Sequence, residues 1–160
     1  MLSFFYTKIE NKQTSMGKVV CVSGFFDPLH YGHVDYLRKA KELAREGGSE
    51  GTLWVIVNND KQAEMKKGKA FMPVAERVKM VRALRMVDAV LEAPDADESV
   101  VMGIKAISPD VFAIGLDEGP EYMRAERGFC FENQIQVVCP LGARIQSSSW
   151  LLDQAKNPAK

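Results

Sequence analysis

The chain has 160 residues, 46% of them hydrophobic and 26% charged, the proportions of an ordinary soluble domain. Lys plus Arg and Asp plus Glu number 21 each, so no surplus of positive charge calls for a nucleic-acid partner or an anionic membrane surface. No apolar run approaches the roughly 20 residues that span a bilayer. The three cysteines, Cys21, Cys130 and Cys139, have no metal-ligand spacing and suit reduced thiols in a cytoplasmic setting.

Residues 1–17 lack the cationic start, apolar middle and small-residue cleavage site of a secretory signal. They are expected to form an N-terminal extension to a single domain over 18–156. The domain opens with a strand over 18–23, an apolar run that stops at Gly24. A short loop follows, then a helix over 33–46 in which Val34, Leu37, Ala40, Lys41 and Ala44 recur three and four apart as a buried stripe. Both histidines of the chain, His30 and His33, lie in that loop. A strand, loop and helix in this order aim backbone N–H groups and the positive end of a helix dipole at one point, which suits a phosphate.

The next strand, 53–57, is continuously apolar, as expected of a central parallel strand buried on both faces. After Asn58-Asn59-Asp60 comes a basic segment with Lys61, Lys66, Lys67 and Lys69, read as a loop able to close over bound anions. A helix over 74–85 precedes a strand at 89–91, and a helix over 99–107 precedes a strand at 111–114. A short helix near 121–127, a strand at 136–138 and a last helix over 149–156 complete the chain. Alternating strands and helices predict an α/β fold, a three-layer α/β/α sandwich around a mostly parallel five-stranded sheet. Ligands of such sheets bind beyond the carboxyl ends of the strands, where the order reverses.

Gly24-x-Phe26-Asp27-x-x-His30-x-Gly32-His33 resembles the H-x-G-H signature of the cytidylyltransferase-like nucleotidyltransferases, and the likeness extends over most of 18–152. The resemblance implies a Rossmann-like domain that transfers a nucleoside monophosphate from a nucleoside triphosphate to a phosphorylated small molecule, with Mg²⁺, releasing pyrophosphate. It implies that His30 and His33 donate hydrogen bonds to the nucleotide's phosphates as charge develops at the α-phosphorus. Gly24, Phe25, Phe26 and Gly32 would bind the nucleotide, the glycines by letting backbone approach it closely. Asp27 would either help hold Mg²⁺ or fix the loop through hydrogen bonds. Lys67 or Lys69 would contact substrate phosphate, and Arg77, in an E-R stretch, would face the phosphate of the acceptor.

By the same resemblance Gly115 and Asp117 would recognise ribose and base. Ser147, Ser148 and Ser149 match the family's second signature and would grip the β- and γ-phosphates at a helix start. Arg144 stands closer to these serines than the arginine of the cytidylyltransferase pattern. The nearest branches are the glycerol-3-phosphate cytidylyltransferases and the heptose-phosphate adenylyltransferases. The pattern favours CTP on features common to all cytidylyltransferases, with ATP as the alternative in adenylyltransferases of the ADP-heptose, FAD synthetase or pantetheine-phosphate type. Family members are often homodimers. A nucleotide-binding sensor without catalysis is the rival of another class, and it predicts a lost histidine or missing lysines, neither of which is seen.

Overall fold

The computed structural model describes residues 17–46, 48–116 and 118–157; most of the expected N-terminal extension and Asp117 therefore lie outside the described residues. Five strands, β1 (Val19–Gly24), β2 (Thr52–Val57), β3 (Ala89–Glu92), β4 (Val111–Ala113) and β5 (Gln136–Val138), form one sheet in the order β3-β2-β1-β4-β5. Every pairing is parallel. The helices are α1 (Tyr31–Ala44), α2 (Asp60–Lys67), α3 (Val74–Arg82), α4 (Val101–Ile107), α5 (Arg124–Glu132) and α6 (Ser148–Lys156). Among them none is long and apolar enough to cross a membrane.

Side-chain alternation along the strands divides the core into two halves. Val20, Val22, Val55 and Val57 point to one face, where they pack with Leu37, Ala40 and Val81 of α1 and α3. Cys21, Ile56 and Phe112 point to the other, against Ile104 of α4 and Cys130 of α5. These are the two helical layers that the sandwich requires. The chain leaves β1 toward β2 through α1 and returns past β1 to β4 through α4, so the order reverses between β1 and β4. The phosphate-binding loop expected from the sequence sits at that reversal.

Three helices depart from the sequence reading; one of them, α5, was expected near 121–127 and runs from Arg124 to Glu132. Helix α1 starts at Tyr31 rather than at residue 33, because His30 itself is its N-cap, a role histidine seldom takes. Helix α2 occupies the segment read as a basic loop. Asn59 caps it in a reciprocal capping box with Gln62, and the residues it buries are Gln62 and Ala63. A helix whose inward face is an amide and one methyl group has no apolar periodicity to betray it. The stripe on α1 is as expected, with Lys41 buried beside Leu37, Ala40 and Ala44. Its ammonium bonds Gly51 O at 2.6 Å and Asp88 at 2.7 Å, which supplies the partners a buried charge needs.

Candidate active site

A cleft of about 730 Å³ runs along the carboxyl edge of the sheet. One end is formed by the β1–α1 loop and the start of α6, the other by the starts of α4 and α5. His30 and His33 cap α1 reciprocally. The N–H of His33 donates to His30 Nδ1 at 3.4 Å, and the N–H of His30 donates to His33 Nδ1 at 3.3 Å. The rings stack with centroids 3.8 Å apart and planes 19° from parallel, and Phe26 leans on His33 at 4.9 Å.

A nitrogen that accepts carries no proton, so the ring proton of each neutral imidazole sits on Nε2. The pair therefore offers two fixed Nε2–H donors at the N-terminus of α1. Burial, helped by His30 and Lys67, lowers the His33 pKa to about 3; burial also lowers that of His30. Both rings are thus neutral donors at neutral pH. The depressed His33 value has a consequence for stability. Below its ordinary 6.5 the unfolded chain binds a proton that the folded chain refuses, so stability present above pH 6.5 declines as pH falls toward about 3. Urea titrations across that interval are expected to show a shallower decline for His33→Asn, whose amide oxygen can still accept from His30; equal slopes would contradict it.

Gly32 and Phe26 complete the loop. A Cβ on Gly32 would lie 2.9 Å from the His30 ring, so this position is kept bare for the imidazole as well as for any ligand. Phe26 is buried with φ 52°, a left-handed conformation that costs a non-glycine residue about 1–2 kcal/mol and that turns its ring under His33. Asp27, 2% exposed, is not on the cleft wall. Its two carboxylate oxygens accept from the N–H groups of Phe71 (2.8 Å) and Met72 (2.7 Å). That geometry is the loop-fixing alternative, and it leaves Asp27 poorly placed as a metal ligand.

Of the two candidate lysines, Lys67 lines the cleft and Lys69 does not. Lys67 closes α2, with Nζ 4.6 Å from the centroid of the Phe25 ring, a cation–π contact; Lys66 lies 5.6 Å from the same ring. Burial, with Arg77 and Lys66 near, lowers the Lys67 pKa against the pull of Asp27. Arg77 corrects the sequence expectation more sharply. It is fully buried, absent from the cleft wall, and bonded to Phe25 O, Asn58 O, Met72 O and Asp60. With its donors committed inside the protein it braces the site and does not face the acceptor.

The remaining candidates line the cleft. Gly115 follows β4, and a Cβ there would meet the Tyr36 ring at 3.2 Å. Ser147 caps α6 by accepting from the N–H of Trp150. The hydroxyl of Ser148 donates to Pro28 O at 2.9 Å, tying α6 to the histidine loop, and Ser149 is the next residue on the wall. Arg144 also lines the cleft, paired with Glu118 at 2.6 Å. Sequence reasoning missed Asn58, Gln62, Val100 and Glu126, all on the wall. A capping-box reading of Asn59 and Gln62 would have flagged the second; nothing local marks Glu126.

The sequence profile described as "Cytidylyltransferase-like" matches residues 21–129. The chain belongs to the cytidylyltransferase-like family. It is accordingly a nucleotidyltransferase, and the cleft with its paired histidines is the family member's candidate active site. Among curated proteins, the chain is 37% identical to the FAD synthase of Methanopyrus kandleri over 112 residues, 70% of this chain and 71% of that protein. It is 39% identical to the FAD synthase of Pyrococcus abyssi over 100 residues, but these cover 63% of that protein, less than two thirds of its length. The FAD synthase of Methanocorpusculum labreanum is 31% identical over 86% of this chain and 95% of its own. Among solved structures, a lipopolysaccharide core biosynthesis protein from Thermoplasma volcanium superposes with a TM-score of 0.59, at 22% identity, over 76% of this chain and 93% of that one. At that identity the likeness concerns the cytidylyltransferase-like fold alone.

Proposed function

We propose that the protein transfers AMP from ATP to the phosphate of FMN, forming FAD and pyrophosphate. The observation that carries the choice of substrates is the similarity to FAD synthases at 31–39% identity. It favours the adenylyltransferase alternative over CTP, whose support was confined to features that bind phosphate and ignore the base.

In this reading a phosphate oxygen of FMN attacks the α-phosphorus of ATP in line, the bond from that phosphorus to the bridging β-phosphate oxygen breaks, and pyrophosphate leaves. The nucleophile is already an anion, so no general base is required. The Nε2–H groups of His30 and His33 hold the triphosphate and meet the charge that develops on it. Lys67 adds a cation, and the serines at the start of α6 hold the outer phosphates. Alignment of two bound substrates can supply roughly 7–11 kcal/mol of the barrier. Asp27 and Arg77 act at one remove, by shaping the segments that carry Lys67 and Phe25. The described residues contain no group of three or more His, Cys, Asp or Glu able to hold a metal ion. Mg²⁺, which usually binds through phosphate oxygens and water, would supply charge neutralisation on the triphosphate.

The test is FAD formation from FMN with ATP or CTP and Mg²⁺, followed by chromatography of the flavins. FAD from ATP, with the CTP product at least about a hundredfold slower, is the expected result. Turnover only with CTP, or only with a sugar phosphate or phosphorylated alcohol in place of FMN, would overturn it.

A further inference from the structure

The end of the cleft away from the histidines lies between the starts of α4 and α5, on the opposite face of the sheet from α1. Glu126 forms part of this wall and is 4% exposed. Its Oε1 accepts from the N–H of Val100 at 2.9 Å, where α4 begins. Every fully buried side-chain nitrogen or oxygen among the described residues has a partner. Oε2 of Glu126 has none, so it is the edge of the carboxylate that reaches the cleft.

The wall around it combines apolar and acidic groups: Val100, Ile114, Met123 and Ala125 stand with Glu98, Glu118 and Glu121. Val100 and Ile114 are buried beneath it, and Met123 is held at φ 53° as the N-cap of α5, a strained conformation of the kind that collects at binding sites. Of the arginines on the same helix, Arg124 is bonded to Glu121 at 3.0 Å, and the adjacent Arg127 donates to Tyr122 O at 3.0 Å and to Cys139 at 3.2 Å. A buried acceptor among further carboxylates repels a phosphate. It suits a flat, uncharged ring that brings one N–H donor.

We propose that this wall is the subsite for the ring system of the acceptor, and that Glu126 Oε2 accepts a hydrogen bond from an imide N–H lying between two ring carbonyls. On the AMP-transfer reading above, on which this inference rests, that ring is the isoalloxazine of FMN and the donor is its N3–H. Glu126 is then a specificity-determining residue, selecting a flavin over the sugar phosphates and phosphorylated alcohols that other acceptors would present. The flavin phosphate extends from this wall toward the histidine end, where the α-phosphorus lies.

The experiment compares wild type and Glu126→Gln with FMN and N3-methyl-FMN, measuring FAD formation and, separately, binding by flavin fluorescence. Glutamine keeps an oxygen for the N–H of Val100 and turns a donor toward the cleft, so the thermal midpoint is expected to hold. The substitution is expected to raise KM for FMN about tenfold or more and to leave KM for ATP unchanged. N3-methylation should weaken binding to wild type by a similar factor and cost the variant little further. FAD formation with neither change having an effect overturns the subsite and leaves AMP transfer standing. A rise in the ATP KM alone assigns the wall to adenine and also overturns it. Fluorescence binding sensitive to both changes, without any FAD formed, supports the subsite and overturns the reaction.

Discussion

His33→Ala is expected to lower kcat by about two to three orders of magnitude, the usual effect of removing one preorganised donor from developing charge. The argument starts from the tautomer. The backbone N–H of His30 donates to His33 Nδ1, so the proton on Nε2 is fixed by the helix cap and requires no reorganisation during the reaction. Removing the ring also removes that cap partner and the stacked neighbour of His30. For that reason His33→Ala and His30→Ala should not add: each deletion disturbs the histidine that remains, and the double variant is expected to be little worse than the poorer single one. His33→Asn separates the two roles. Its side-chain oxygen can accept from the His30 N–H and keep α1 capped, but it carries no donor at the Nε2 position. Steady-state kinetics on the three variants, beside their thermal midpoints, decide the matter. A capped, stable His33→Asn protein with wild-type kcat would remove the histidine pair from catalysis.

Much of this arrangement was legible in the sequence, for reasons that are physical. The runs 19–24 and 52–57 are apolar on both faces because central parallel strands are covered twice, and such runs are hard to mistake. The two histidines could be placed in the loop between β1 and α1 because Gly24, Gly32 and the amphipathic stripe of α1 constrain the backbone around them. Helix α2 escaped detection because it turns Gln62 inward, where the amide is satisfied by Asp97 O, Ser99 O, Asn58 and the N–H of Asn59. Hydrophobic periodicity is blind to a helix docked by hydrogen bonds. Glu126 escaped because a glutamate in an amphipathic helix is expected to face solvent, and only the packing of α5 against α4 turns it inward. The base was illegible for a different reason: the motifs that stand out are those expected to meet phosphates, and CTP and ATP carry the same ones.

Arg77→Ala is expected to destabilise the fold by about 3–5 kcal/mol, the range for removing one member of a buried, hydrogen-bonded charge pair. One guanidinium joins three chain segments. Nη1 donates to Phe25 O (2.8 Å) just beyond β1 and to Asn58 O (2.7 Å) just beyond β2; Nε donates to Met72 O (2.9 Å), and Nη2 to Asp60 (2.7 Å). Truncation would strand carbonyls, each costing about 1–3 kcal/mol if water cannot reach it. Asp60 lies near the surface, with a side chain 41% exposed, and resolvates more cheaply, which is why the total is not larger. Arg77→Lys restores the charge but not the planar fork, since an ammonium cannot span four acceptors placed for a guanidinium; it should recover only part of the loss. Urea unfolding of the three proteins gives the comparison. An arginine that faced the acceptor's phosphate would leave the unfolding midpoint near wild type and raise the acceptor KM instead. A brace lowers the midpoint first. It also releases the carbonyl of Phe25 and with it the ring that carries Lys67, so the kinetic loss should extend to kcat as well as to KM. A midpoint unchanged in Arg77→Ala, with only the acceptor KM raised, would return Arg77 to the role first expected of it.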